Sequence, residues 1–343
     1  MRKLLNTLYI TTPDVYLTLK GETIVVSKAE EVLGRIPLHN LEGVCTFGYA
    51  GASPKLMHAC AEKGIALTFL SQSGKFLARI VGESKGNVLL RKKQYRISDS
   101  EQQSVEIARN FIFAKVANQK WLIERMTRDY PLRIDVPQFK EISKRLSENL
   151  EQILNCNDLE LLRGLEGNSA NAYFGIFDQM ILQQKDAFYF KTRNRRPPTD
   201  NVNALLSFSY TLLAHDVSSA LENVGLDAYV GFLHRDRPGR ASLALDVMEE
   251  LRGVIADRFV LKLINKKMLS PSDFVKKESG AVILTDDGRK KFISAWQERK
   301  QETLTHPFLK EKINWGLVPH AQAMLLARYL RGDLEEYPPF LWK

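Results

Sequence analysis

The chain has 343 residues, of which 44% are hydrophobic, and its 49 Lys and Arg against 40 Asp and Glu give a formal net charge of +9. This composition is ordinary for a globular protein and argues against disordered and fibrous classes, and the length is sufficient for two domains. The positive charge favours an acidic partner, of which nucleic acid is the commonest.

Residues 1–82 are predicted to form a β-rich N-terminal domain. Segments 7–10, 15–19 and 23–26 are rich in β-branched and aromatic residues, which favour strands. Gly21 lies between the second and third of these segments and predicts a short hairpin turn.

One helix is predicted inside this domain. Ser53 is suited to the N-cap position, and Pro54 follows it as the first helical residue. Gly64 is suited to end the helix because glycine adopts the left-handed conformation without strain.

A polar connector, predicted as residues 83–90, separates the β-rich domain from the rest of the chain. From residue 91 to residue 343 the apolar residues recur mostly at helical spacing. The predicted fold class is therefore α+β, with a β-rich N-terminal domain followed by a larger all-α catalytic domain.

The cysteines and the apolar segments indicate the compartment. The three cysteines lack the paired spacing of zinc sites or disulfide frameworks, which favours a reducing cytoplasm. The most apolar stretch, residues 204–214, is too short and too polar to span a bilayer. The sequence therefore predicts a cytoplasmic protein with no membrane partner.

One predicted helix carries two acids among apolar residues. Asp246 and Glu249 are three positions apart and share a helix face, while Leu243 and Val247 occupy other positions. An unpaired carboxylate is costly at a partly buried position, and a metal ion or a basic partner would relieve that cost. The alternative is a solvated face on which Arg252 forms a salt bridge at i+3.

His234 and Glu166 are the other candidates for chemistry. His234 precedes the acidic helix, and residues 235–239 are suited to a turn that folds the imidazole back over it; a loop histidine with a structural hydrogen bond is the alternative. Glu166 lies between Gly164 and Gly167. It is either a helix-start glutamate favoured by the helix dipole or a third ligand brought near by helix packing.

These motifs together resemble one protein family. The segments 163–174, 231–234 and 240–252 are similar to motifs of the CRISPR-associated endonuclease/integrase of the spacer-acquisition module, particularly its type I-C branch. Residues 115–125 resemble its long-helix signature, and residues 195–206 resemble its linker into the catalytic helices. The match runs in the family's order from the N-terminal strands to about residue 335.

The resemblance implies a metal site. Glu166, His234 and Glu249 would be the catalytic residues and metal ligands, and Asp246 would support a ligand or serve as an alternative ligand. Carboxylates suit Mg²⁺ or Mn²⁺, and an imidazole is better suited to Mn²⁺. The choice between Asp246 and Glu249 stays open, because both acids face the same side.

The resemblance also implies an activity. The chain would be a metal-dependent DNA endonuclease/integrase that inserts new spacers into a CRISPR array by 3′-OH transesterification, and with water as the nucleophile the same site would be a nuclease. Arg195 and Arg196 belong to a basic cluster that would bind DNA. Arg240 and Arg252, on the acidic helix, would contact phosphate or neutralise the carboxylates.

The expected partners follow from the same resemblance. They are DNA, duplex and branched, a second copy of the chain joined largely through the β domain, and a small CRISPR-associated partner protein of the adaptation complex. Two other functions are compatible with the residues. One is a non-catalytic nucleic-acid-binding scaffold whose acids tie helices together, and the other is a repair nuclease for branched DNA.

Overall fold

The computed structural model describes residues 7–48, 50–72, 76–82 and 88–342. The chain divides into two compact units. The first consists of Met1–Lys85 and Leu284–Glu302, and the second of Gly86–Ile283 and Thr303–Lys343. The predicted fold class, a β-rich N-terminal region followed by a larger helical region, is confirmed.

The elements have the following bounds. The strands are β1 (Thr7–Ile10), β2 (Tyr16–Lys20), β3 (Thr23–Lys28), β4 (Glu31–Pro37), β5 (Gly43–Phe47), β6 (Gly51–Ala52), β7 (Ala66–Leu70), β8 (Phe76–Ile80), β9 (Phe274–Lys276), β10 (Val282–Leu284), β11 (Thr303–Thr305) and β12 (Lys312–Asn314). The helices are α1 (Pro54–Lys63), α2 (Val88–Ser98), α3 (Glu101–Asp129), α4 (Val136–Leu154), α5 (Leu159–Gly175), α6 (Asn201–Asn223), α7 (Ser242–Leu251), α8 (Arg258–Asn265), α9 (Asp286–Gln301) and α10 (Val318–Arg331).

The first unit contains two four-stranded sheets. One has the order β1-β5-β7-β8, in which β1, β5 and β7 are parallel and β8 is antiparallel to β7. The other has the order β4-β3-β2-β6, an antiparallel meander with β6 added in parallel. Strand β5 is buried along its whole length, as expected for an interior strand of a covered sheet.

Helix α1 follows its local signals. The Ser53 hydroxyl accepts a hydrogen bond from the Leu56 amide at 3.3 Å, and Pro54 is the first helical residue. Gly64 ends the helix with φ of +65°. The predicted bounds of this helix are confirmed, because each depends only on neighbouring residues.

The second unit is built around α3 and α7. Helix α3 is 29 residues long, about 44 Å, and packs against α4, α5 and α7. Helix α7 also packs against α6, and nine of its ten residues are buried. Arg252–Asp257 forms a π-helical turn that joins α7 to α8 without a break.

Two observations concern the predicted organisation. Residues 83–87 of the predicted connector lie outside the described residues, and α2 already begins at Val88. The segment Leu284–Glu302, predicted as part of the helical domain, clusters with the first unit. Within the described ranges, no helix is both long enough and apolar enough to cross a membrane.

Candidate metal centre

Side chains from three helices meet within the second unit, and a nearby loop carries a further candidate ligand. Lys115 lies on α3, Glu166 on α5 and Glu249 on α7, while His234 lies in the loop before α7. Because α3 packs against both α5 and α7, residues from all three helices can reach one point. This assembly is called the carboxylate centre below.

Helix α5 places Glu166 in its interior. The Asp158 carboxylate caps the helix, which continues through Gly164 and Gly167. The interpretation of Glu166 as a helix-start glutamate is therefore wrong. Its carboxylate is 28% exposed and contacts the ammonium of Lys115.

Lys115 joins the two acids of the carboxylate centre. Its Nζ contacts Oε1 of Glu166 and lies 2.7 Å from Oε2 of Glu249. The Lys115 side chain is only 3% exposed, so its charge has been moved out of water. Burial of an ammonium is costly unless it is paired, and here two carboxylates from different helices supply the pairing.

Arg252 occupies the other oxygen of Glu249. A guanidinium nitrogen lies 2.7 Å from Oε1, an i+3 pair across the last turn of α7. Burial raises the pKa of the Glu249 carboxyl, but the charges of Arg252 and Lys115 outweigh that effect and hold the pKa at about 2. Glu249 is therefore ionised, and each of its oxygens faces a cation.

Asp246 holds the loop that carries His234. Its fully buried carboxylate accepts hydrogen bonds from the amides of Phe232 and Leu233 on Oδ2, at 2.6 and 2.9 Å. On Oδ1 it accepts the amide of His234 at 3.0 Å, and Nδ1 of the same residue lies 2.6 Å away. With Nδ1 donating to a carboxylate, Nε2 is the ring nitrogen left for a metal ion.

Gly231 allows this loop to approach α7 closely. A Cβ at this position would lie 2.8 Å from Oδ2 of Asp246 and 2.9 Å from both the carbonyl carbon and Cβ of Ser242. The carbonyl carbon of Ser242 is part of the α7 backbone and its Cβ is bonded to that backbone, so neither atom can move away. The position therefore requires a residue without a side chain.

A cleft of about 230 Å³ opens beside His234. Arg163 and Arg235 line it, and both pair with Glu160, at 2.5 and 2.9 Å. Arg163 also donates to the carbonyl of Leu233 at 3.2 Å, which gives the loop a second anchor besides Asp246. The imidazole, 29% exposed, is thus reachable from solvent.

The donor atoms fit a divalent cation at the point where Lys115 now lies. Two carboxylate oxygens already converge there on one positive charge, and hard oxygen donors are what Mg²⁺ and Mn²⁺ prefer. His234 is close enough for its charge to lower the pKa of Glu249, behind the effects of burial, Arg252 and Lys115. Among the described residues, no three His, Cys, Asp or Glu side chains are yet gathered as a ready metal site.

A second buried cluster packs against Arg252. Its guanidinium lies 4.7 Å from the ring centroid of Tyr210, and that of Arg193 lies 5.3 Å from the same ring. The Tyr210 hydroxyl donates to Asp257 at 2.5 Å, and Tyr173 donates to the same carboxylate at 3.1 Å. Burial raises the pKa of Asp257 to about 6, although these contacts oppose it. The cluster therefore holds Arg252 in the position from which it pairs with Glu249.

The C-terminal segment is docked on α3 and α7. Asn118 donates to the carbonyls of Glu250 and Phe340, each at 2.8 Å, and accepts the amide of Trp342 at 2.9 Å. The carboxylate of Glu250 accepts the Tyr337 hydroxyl at 2.5 Å and the Phe340 amide at 2.9 Å. Burial raises the pKa of Glu250 to about 7. Residues 337–342, called the C-terminal clamp below, thus bond both helices beside the carboxylate centre.

The four predicted DNA-binding arginines are in two different situations. Arg195 and Arg196 lie exposed in the loop before α6. Arg240 is half-buried, contacts the carbonyl of Arg235 and donates to Ser242 at 3.3 Å, and Arg252 is paired with Glu249. The structure therefore brings Arg252 to the carboxylate centre and leaves Arg195 and Arg196 at the surface.

Sequence reasoning gave no role to Lys115, Tyr210 or Asp257. Lys115 lies in a segment that carried the family resemblance, and its helical spacing among Ala114, Val116 and other apolar residues was a usable signal of burial. Tyr210 and Asp257 carry no spacing signal, since they meet Arg252 only through the packing of α6 against the π-helical turn.

Comparisons with known proteins identify the family of this chain. Residues 8–298 match the family described as CRISPR associated protein Cas1. The CRISPR-associated endonuclease Cas1 1 of Chlorobaculum tepidum is 48% identical over 343 residues, with all of both chains covered.

Two solved structures share the fold. One, a casposase bound to integration product, has a TM-score of 0.84 at 22% identity and covers 98% of this chain and 94% of its own. The other, a Cas6-RT-Cas1–Cas2 complex, has a TM-score of 0.80 at 22% identity and covers 98% of this chain and 36% of its own. With a family match over most of its length and a relative of 48% identity over all of it, the chain belongs to the Cas1 family of CRISPR-associated proteins.

Proposed function

We propose that this chain is a metal-dependent DNA endonuclease and integrase that inserts new spacers into a CRISPR array by 3′-OH transesterification. The observation that carries the proposal is the convergence of Glu166 and Glu249, from two helices, on one cation position. The endonuclease named among the relatives and the casposase bound to its integration product support the same activity.

Glu166, Glu249 and His234 would hold Mg²⁺ or Mn²⁺. When bound, the metal supplies Lewis-acid activation of the scissile phosphate and stabilises charge on the attacking and leaving oxygens. Asp246 orients His234 through Nδ1, and Arg252 holds Glu249 ionised. These contacts orient His234 and Glu249 before any substrate arrives, which contributes to a preorganised site.

The reaction exchanges one phosphodiester for another. The oxygen of a 3′-hydroxyl forms a bond to phosphorus while the bond from phosphorus to the leaving 3′-oxygen breaks. The attacking hydroxyl loses its proton, and the leaving oxygen gains one. Because the bonds formed and broken are equivalent, the reaction is reversible. The site must hold the attacking 3′-hydroxyl in line with the scissile phosphate.

Arg195 and Arg196 are proposed to bind the DNA backbone, because both are exposed in the loop before α6. Arg240 and Arg252 are engaged within the protein, so their contribution to DNA binding is through the loop and the carboxylate that they hold. We also propose that the chain forms a homodimer through its β domain and binds the small CRISPR-associated partner protein. The proposal further includes the type I-C subtype and a cytoplasmic location. The complex with Cas2 found for a protein of similar fold supports the partner.

Strand transfer into supercoiled plasmid, with the small partner protein present, tests the activity. Glu249→Gln should abolish joining and metal-dependent cleavage, while Glu151→Gln, on the exposed face of α4, should leave both at the wild-type level. Near-normal joining by Glu249→Gln would show that the carboxylate centre does not catalyse the reaction, as expected if its acids only tie helices together in a scaffold.

DNA with a dideoxy 3′ end distinguishes integrase activity from nuclease activity. A dideoxy end removes the attacking hydroxyl, so it should stop both joining and the resealing of branched DNA but leave hydrolysis intact. Identical products from dideoxy and normal ends would mean that water is the nucleophile, as in a repair nuclease for branched DNA.

The salt dependence of DNA binding tests the basic loop. The slope of log K against log salt is about −0.9 per phosphate neutralised on duplex DNA. Replacing Arg195 and Arg196 by Gln should make that slope shallower by about 1 to 2, whereas replacing the exposed Lys276 and Lys277 by Gln should not change it. Equal slopes for the two double variants would show that this loop does not bind DNA.

A further inference from the structure

The lysine at the carboxylate centre has an unusual environment. Lys115 lies on the buried side of α3, between Ala114 and Val116, which are both fully buried. Its aliphatic stem runs through the core of the second unit, and its ammonium ends between two carboxylates. The ammonium of a surface lysine keeps its hydration. A buried ammonium loses it, and the groups that it contacts must offset that desolvation free energy.

The charges at this centre balance without any added ion. Two carboxylates, Glu166 and Glu249, face two cations, Lys115 and Arg252. Arg252 lies on Oε1 of Glu249 and Lys115 on Oε2, so both oxygens are already engaged. A divalent cation that bound the same oxygens would raise the local charge by two units if the lysine stayed.

Geometry forbids simultaneous occupation. The ammonium lies 2.7 Å from Oε2 of Glu249 and contacts Oε1 of Glu166, so it occupies the position at which these two carboxylates would hold a metal ion. A metal ion held by those oxygens would overlap the ammonium, and the two positive charges would repel strongly at such a distance even at an effective dielectric constant of about 20. Arg252 does not compete in this way, because it contacts the other oxygen of Glu249.

We infer that Lys115 is an internal counter-cation that holds Glu166 and Glu249 together when no metal is bound, and that metal binding displaces it. This inference rests on the proposed metal site and adds a residue to it. Lys115 keeps the two acids at the spacing that a metal needs, because without a cation they would repel each other and separate. It also weakens metal binding, because the metal must first release the ammonium from both oxygens.

The two effects predict opposite changes when the lysine charge is removed. In Lys115→Met the metal-free protein should be less stable than wild type, since Glu249 keeps only Arg252 as a partner. The same variant should bind Mn²⁺ at least about tenfold more tightly, because one competing charge close to the site is gone. A lysine with a merely structural role would produce the first change without the second.

Titration of Mn²⁺, with free Mn²⁺ read by electron paramagnetic resonance and thermal melting recorded in parallel, tests the inference. Lys115→Met should show a lower Kd and a larger Mn²⁺-induced rise in Tm than wild type. Lys115→Arg, which keeps the charge, should stay within about threefold of the wild-type Kd. Lys120→Met, on the same helix but paired with Glu124 at the surface, is the matched control and should leave the Kd unchanged.

The outcomes separate the two proposals. An unchanged or higher Kd for Lys115→Met, with wild type binding Mn²⁺ through Glu249, would overturn the role of Lys115 and leave the metal site standing. If Lys115→Met does not fold, Lys115→Gln keeps a hydrogen-bond donor without the charge and must show the same tighter binding. Absence of Mn²⁺ binding in every variant would overturn the metal site, and the role of Lys115 with it.

Discussion

The substitution Asp246→Asn tests how strongly one carboxylate holds the loop of His234. The change keeps the shape of a fully buried side chain and replaces one acceptor oxygen by an amino group. The carboxylate now accepts hydrogen bonds from Phe232 and Leu233 on one oxygen and two from His234 on the other. With the amino group turned toward Phe232 and Leu233, two of the four bonds are lost. With it turned toward His234, the amide of His234 loses its acceptor, and Nδ1 keeps its bond only by becoming the acceptor.

The expected cost follows from that count. A hydrogen bond to a charged group contributes about 1.5–3 kcal/mol, so the loss of one or two of them lowers the unfolding free energy by about 1.5–6 kcal/mol. Packing does not contribute, since the two side chains have the same shape. Because the loop loses its anchor, the imidazole of His234 also loses its fixed direction, and strand transfer should fall even where the protein stays folded.

Chemical denaturation measures the loss of unfolding free energy, and hydrogen exchange measures the loosening of the loop. The denaturation midpoint should fall, and the amides of Phe232 and Leu233 should exchange much faster in the variant. Asp236→Asn, exposed on the same loop, is the matched control and should stay within about 0.5 kcal/mol of wild type. An Asp246→Asn protein that loses less than about 1 kcal/mol and keeps those amides protected would refute this account of the loop.

Three further predictions follow from buried contacts. Gly231→Ala should lower the unfolding free energy by about 1–3 kcal/mol through collision with Asp246, whereas Gly164→Ala, which meets nothing within 4 Å in α5, should be neutral or stabilising in the same denaturation assay. Burial raises the pKa of Glu250 to about 7, so the folded protein holds a proton that the unfolded chain has lost, and stability should fall as pH rises from about 4.5 to 7. Glu250→Gln should flatten that part of the stability profile; an unchanged slope would contradict the raised pKa. Tyr337→Phe removes a 2.5 Å hydrogen bond to Glu250 and should cost about 1–3 kcal/mol; a value near zero would show that the clamp is not held there.

Local signals in the sequence were sufficient where the structure depends on neighbouring residues. Helix α1 begins and ends where Ser53, Pro54 and Gly64 predict. The spacing of Asp246 and Glu249 placed both acids on α7, but it could not show which of the two lies at the carboxylate centre with Glu166. The structure separates them: Asp246 faces the loop of His234, and Glu249 faces Lys115.

Contacts between distant segments were not predictable from spacing. One interpretation of Glu166 placed a helix start between Gly164 and Gly167, yet α5 runs through both glycines, because its packing against α3 and α4 outweighs the low helix propensity of glycine. Helix α9 was predicted as helical, but its place in the first unit rests on contacts made far from it in sequence. The bridging role of Lys115 likewise needs three helices to be in place.

The C-terminal clamp has a consequence for the order of events on the ribosome. Asn118 bonds Trp342 across 224 positions of chain, and closing so large a loop costs about 5 kcal/mol of entropy. Helices α3 and α7 are synthesised long before residues 337–342 emerge, since domains form from the N-terminal side first. A nascent chain therefore lacks the hydrogen bonds that lock α3 to α7 beside Glu249. The hydrogen bonds that order this centre can therefore form only after residues 337–342 have been synthesised, and a nascent chain that has not reached them would be poor at the chemistry of this centre.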